Sequence, residues 1–108
     1  MTDFSLTVTA SPWSTDQHQR ALRFGHALLA KGHALKQVFF YQDAVLACQG
    51  DTPAQQWQAL AEQSGCALFL CVSAAERRGI QSAEQPWQLV GLSDWVAGTQ
   101  QGEHVHFG

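Results

Sequence analysis

The order of apolar and polar positions changes period several times along the 108 residues. From Phe4 to Thr9, apolar Phe4, Leu6 and Val8 alternate with polar residues, the period of a half-buried strand. Ser11-Pro12-Trp13 interrupts it. Ser14 or Thr15 then offers a helix N-cap, and Ser14 with Gln17 fits a capping box. Ala21, Phe24, Gly25 and Leu28 recur at helical spacing, and Gly32 after Lys31 suits a left-handed stop. Gln37 to Tyr41 predicts a second strand. Its continuous Val38, Phe39 and Phe40 suit a strand covered on both faces. Gln42 to Gly50 fits a short helix or a loop.

Thr52-Pro53-Ala54-Gln55 opens another helix, with Thr52 as cap and Pro53 in the first helical position. Trp57, Leu60, Ala61 and Ser64 mark its inward face, and Gly65 ends it. Ala67 to Val72 predicts a third strand. Ser73-Ala74-Ala75-Glu76 reads as a capping box opening a short helix that Gly79 stops. Gln81 to Pro86 is loop-like, and Trp87 to Leu92 predicts a fourth strand. Ser93 caps a helix carrying Trp95, Val96 and Thr99, Gly102 ends it, and His104 to Phe107 forms a last strand.

Strands alternating with helices define an α/β fold. The expectation is a single three-layer α/β/α domain over residues 1–108, with a mostly parallel sheet of about five short strands. Ligands and chemistry gather outside the carboxyl ends of such strands. That rule selects Ser11 to Thr15, Gln42 to Cys48, and Cys71 to Arg78.

Composition narrows the function classes. Only 14% of residues are charged, while 45% are apolar; soluble domains carry about 25% charged residues. A surface this short of charge suggests cover by other subunits; a monomer with a glutamine-rich surface is the alternative. Disorder is excluded, because disordered chains combine low hydrophobicity with high charge. Six basic against nine acidic side chains disfavour a nucleic-acid-binding face. Met1 to Ala10 has neither a basic n-region nor a long apolar run, so no targeting segment is expected. The longest strongly apolar stretch, Cys66 to Ala75, falls far short of the roughly 20 residues of a membrane helix. Three cysteines without regular spacing make no disulfide framework and point to a reducing cytoplasm.

Cys71 is the leading candidate for chemistry. It ends the third strand, two residues before the expected cap Ser73, where a thiol can face the positive end of a helix. Arg77 and Arg78 follow and can add positive potential or form surface and interface ion pairs. A core cysteine at a strand end is the competing reading. Cys66 lies at the amino end of the same strand and reads as structural. Cys48 sits at the productive end, as a packing residue or a resolving thiol. His18, His26 and His33 are expected on a solvated helix face, without metal-ligand spacing. His104 and His106 share one face of the last strand and lack a third ligand. No Gly-rich phosphate loop follows the first strand. Trp13, in a loop at the productive edge, is the tryptophan expected to meet a partner.

The run Cys71-Val72-Ser73-Ala74-Ala75-Glu76-Arg77-Arg78-Gly79-Ile80 resembles the active-cysteine region of the DsrE/TusD family of sulfur-relay proteins. Gly32-His33 followed by Val38-Phe39-Phe40-Tyr41, and Val90-Gly91-Leu92, resemble further segments of that family in the same order. The chain is shorter than typical members between Leu46 and Trp57 and between Ile80 and Trp87. The resemblance implies a sulfurtransferase subunit in which Cys71 carries sulfane sulfur as a persulfide. The sulfur passes to a downstream carrier and ends in the 2-thio group of tRNA wobble uridine. The implied partners are homologous TusC-like and TusB-like subunits, plus donor and acceptor carrier proteins. No metal, organic cofactor, membrane or stable nucleic-acid contact is implied. Two alternatives are a DsrE-like carrier in dissimilatory sulfur oxidation and a non-catalytic scaffold subunit.

Overall fold

A computed structural model describes residues 3–13, 16–49, 53–91 and 102–107. Its elements are β1 (Asp3–Val8), α1 (Gln17–Ala30), β2 (Ala34–Phe40), a 3-10 helix (Gln42–Cys48), α2 (Ala54–Ser64), β3 (Ala67–Cys71), α3 (Val72–Arg77), β4 (Trp87–Val90) and β5 (Glu103–Phe107). The five strands form one sheet in the order β4-β3-β2-β1-β5. All four pairings are parallel, so the sheet is wholly rather than mostly parallel. The ambiguous segment after β2 is the 3-10 helix, which buries Ala44, Val45 and Ala47. The caps expected at Ser14, Thr15 and Thr52, and the helix expected after Ser93, lie outside the described residues.

Parallel register puts paired residues on the same face of the sheet. Leu6, Val38 and Leu68 align on one face, and Val8, Phe40 and Leu70 align beyond them. All six are buried. Helices α1 and α2 cover this face, since Phe40 packs against His18 of α1 and edge-on against Trp57 of α2. Trp87 at the start of β4 closes the same cluster against Phe40. Helix α1 approaches α2 closely at Gly25, where a Cβ would stand 2.8 Å from Leu60 Cδ2.

The opposite face is more polar. Ser5 and Thr7 are buried there beside Phe39. Gln37 donates to Ser5 Oγ at 3.3 Å. Thr7 Oγ1 and His104 Nε2 are hydrogen-bonded at 2.5 Å, and Thr9 Oγ1 and His106 Nε2 at 3.2 Å. The two histidines of β5 are thus tied to threonine hydroxyls of β1 and the residue that follows it. Among the described residues, no group of three His, Cys, Asp or Glu is placed to hold a metal, and no helix is long and apolar enough to cross a membrane.

Two sequence expectations are corrected. His18 does not lie on a solvated face: it is 1% exposed and sits on the stripe His18, Ala21, Leu22, Gly25 and Leu28 that α1 buries. Its polar atoms are satisfied internally. Trp57 Nε1–H donates to Nδ1 at 3.1 Å, and Nε2 meets the Ala10 carbonyl at 2.7 Å. An indole N–H only donates, so Nδ1 must accept and Nε2 carries the proton toward Ala10. Burial pushes the His18 pKa below its ordinary 6.5, outweighing the opposing Ala10 bond, and keeps the ring neutral.

The second correction concerns Ser73, which does not cap α3. The helix starts at Val72, with extended Cys71 in the capping position and no side-chain cap bond. Val72 reads as strand by β-propensity, but the chain turns helical as soon as its sheet partners end. Ser73 therefore falls in the first turn and is exposed. The other end is as expected. Gly79 takes φ +80, its N–H meets the Glu76 carbonyl, and the Ile80 N–H meets the Ala75 carbonyl. That is a Schellman stop, which needs the left-handed conformation glycine adopts without strain.

Candidate functional site

The sheet fixes which candidates share an edge. Phe40 pairs with Leu70, and Cys71 pairs with Val90. Tyr41, Gln42 and the start of α3 therefore emerge together at the carboxyl edge. There they enclose a pocket of about 260 Å³ lined by Tyr41, Gln42, Cys71, Ser73, Ala74, Arg77 and Arg78. Four of the five residues singled out from sequence, Cys71, Ser73, Arg77 and Arg78, thus share one cavity. Cys71 is 3% exposed but lines this pocket, and its sulfur is free of any disulfide. Trp13 does not line it. It stands 56% exposed in the loop after β1, the one strongly exposed large apolar side chain among the described residues.

The two arginines have different surroundings. Arg78 donates to Asp43 Oδ1 from Nε at 3.0 Å and from Nη2 at 2.8 Å, and its Nη1 donates to the Ala74 carbonyl at 2.9 Å. It ties α3 to the 3-10 helix. Arg77 is exposed and makes no ion pair among the described residues.

Gln42 and Asp43 fall in a segment that the carboxyl-edge rule selects, but only the β2–β3 pairing shows that Tyr41 and Gln42 stand beside Cys71. Gln42 has φ +53, the one positive φ on a non-glycine residue among those described. The chain reverses there from β2 into the 3-10 helix, and this costly conformation forms part of the pocket wall.

Cys48 lies elsewhere. It lines a larger pocket, about 470 Å³, with Gln49, Gln58, Gly79 to Gln85 and Trp87. That pocket meets the far end of the 3-10 helix, so the thiols of Cys48 and Cys71 open into different cavities. Burial pushes the Cys48 and Cys66 thiols above their ordinary pKa, which favours packing over reactivity.

An all-parallel α/β sheet with a cysteine-bearing pocket at its carboxyl edge defines the class. The chain belongs to the DsrE/DsrF-like family, whose sequence profile matches residues 3–107. It is 45% identical over 97 residues to the sulfurtransferase TusD of Pectobacterium carotovorum, covering 82% of this chain and 75% of that protein. It is likewise 45% identical over 85 residues to the sulfurtransferase TusD of Cronobacter sakazakii, covering 71% and 66% of the two chains. The fold matches the ychN protein from E. coli with a TM-score of 0.83 at 19% identity, over 99% of this chain and 100% of that one. A protein of unknown function from Methanobacterium thermoautotrophicum matches with a TM-score of 0.81 at 12% identity, over 98% and 99%.

Proposed function

We propose that the protein is a sulfurtransferase of a sulfur relay in which Cys71 carries sulfane sulfur as a persulfide. The observation that carries this reading is the placement of Cys71 in a surface pocket beside Arg77, in a chain this similar to TusD sulfurtransferases. The chemistry is two thiol exchanges. The Cys71 thiolate attacks the outer sulfur of a donor persulfide, a new S–S bond forms, and the donor leaves as its thiolate. An acceptor thiolate then attacks the outer sulfur on Cys71, and Cys71 leaves as a thiolate. Neither step needs a metal or a net oxidant.

The residues around Cys71 supply setting rather than proton transfer. Arg78 and Asp43 hold the pocket wall, and Arg77 leaves a positive charge at its edge. Trp13 is offered to a partner protein on the same edge of the sheet. We place the protein in a reducing cytoplasm with homologous TusC-like and TusB-like subunits, delivering sulfur for 2-thiolation of tRNA wobble uridine. Free cysteines and a surface short of charge support that setting.

Incubation with a persulfide donor, followed by intact mass and peptide mapping, tests the reading. One sulfur should load on the peptide carrying Cys71. Equal loading of Cys71→Ser would overturn it.

A further inference from the structure

We infer that Arg77, and not Arg78, selects the charge of whatever meets Cys71, so that the site favours a partner presenting an anionic group beside its reacting sulfur. The inference deepens the proposed function by giving the chemistry of the partner, and it rests on Cys71 being the group that partner meets.

Adjacent arginines on a short helix look equivalent in sequence. In the fold they are not. Three N–H groups of Arg78 are committed, two to one Asp43 oxygen and one to the Ala74 carbonyl. Its charge is countered by Asp43 at 2.8 Å. To an approaching molecule the pair is close to neutral. Arg77 lines the same pocket, is exposed, and makes no ion pair or hydrogen bond among the described residues.

The remaining described pocket residues, Tyr41, Gln42, Cys71, Ser73 and Ala74, include no acid. Glu76 is exposed on the same helix but does not line the pocket. Among the described residues the pocket therefore carries one uncompensated cation, on a chain whose net charge is −3. The acidic remainder of the molecule repels anionic partners, and Arg77 marks a place beside Cys71 where an anion is stabilised. A charge so placed chiefly sets encounter rate and partner choice.

The test uses the Cys48→Ser/Cys66→Ala protein, which leaves Cys71 as its single thiol. Its second-order rates are measured with two small disulfides of opposite charge, 3,3′-dithiodipropionate and cystamine. In each reaction the Cys71 thiolate attacks one sulfur, a mixed disulfide forms, and the other half leaves as a thiolate. Rates are normalised to those of a small-molecule thiol.

The anionic disulfide should be favoured at low salt, and Arg77→Gln should slow the anionic reagent and speed the cationic one by up to about fivefold each, the effect of one unit charge a few Å away in water. Arg77→Glu should reverse the preference, and about 1 M salt should erase it. The double variant Asp43→Asn/Arg78→Gln removes a neutral pair and should keep the preference. An unchanged preference in Arg77→Gln, or its loss in the double variant, would overturn the inference. Failure of Cys71 to take up sulfane sulfur would instead sink the proposed function, and leaves the disulfide measurement readable on its own.

Discussion

The indole N–H of Trp57 donates to Nδ1 of His18 at 3.1 Å, joining α2 to α1 in the middle of the core. The other ring nitrogen holds the Ala10 carbonyl at the carboxyl end of β1. One neutral imidazole thus links two helices to the loop that leads to Trp13. Protonation would set a second donor against the indole N–H.

Stability should accordingly fall in mild acid. Burial lowers the His18 pKa in the folded chain, so the unfolded chain binds the proton more readily. The stabilisation is complete above the unfolded value of about 6.5 and is lost as pH falls below it. His104 is shifted downward as well, by burial first and then by His106, and acts in the same direction. Denaturation midpoints measured across this range should drop on acidification, and His18→Gln should flatten the dependence. An equal slope in both proteins would contradict the assignment.

Removing the imidazole should be costly at any pH. His18→Ala leaves the Trp57 N–H and the Ala10 carbonyl unpartnered and opens a cavity. The expected loss is about 2–4 kcal/mol by chemical denaturation. Trp57→Phe removes the donor and part of the buried ring, so it should be destabilising as well.

Gly25 of α1 faces the buried Leu60 of α2. Gly25→Val would place branched carbons against the buried Leu60 side chain, and about 1–3 kcal/mol of destabilisation is expected. Gly25→Ala should cost less, because better helix propensity, about 1 kcal/mol, offsets a small shift of Leu60.

Asp43 and Arg78 form a partly exposed pair, so their coupling in a double-mutant cycle should be below about 1 kcal/mol. Their importance is positional. Asp43→Asn should alter the exchange rate at Cys71 more than it alters the denaturation midpoint, a split that a purely structural pair would not produce.

The cysteines should differ in reactivity. Burial raises the thiol pKa of both Cys48 and Cys66. With iodoacetamide at about pH 8, both should label more slowly in the folded chain than in the unfolded one. Peptide mapping over time gives the rates directly.

Much of the architecture is legible in the linear order of residues. The alternation of Phe4, Leu6 and Val8, the unbroken Val38-Phe39-Phe40, and the stops at Gly32, Gly65 and Gly79 each act through local geometry, and the strands and helices follow them. Cys71 was legible as well, as a thiol at a strand end followed at once by a helix. His18 was misplaced although the signal was present: it stands three residues before Ala21, on the apolar stripe, where an imidazole is buried once a partner such as Trp57 is supplied. Ser73 was misplaced because a capping motif does not reveal which residue loses its sheet partners first.

The periods, the stops and the place of a thiol at a strand end depend on neighbours a few residues apart, and the chain alone shows them. What surrounds that thiol depends on long-range pairing. The β2–β3 pairing brings Tyr41 and Gln42 to Cys71, and an ion pair between residues 35 apart commits Arg78 to Asp43 while leaving Arg77 open. Adjacent arginines are the same in the chain, and they become different through the distances that folding closes.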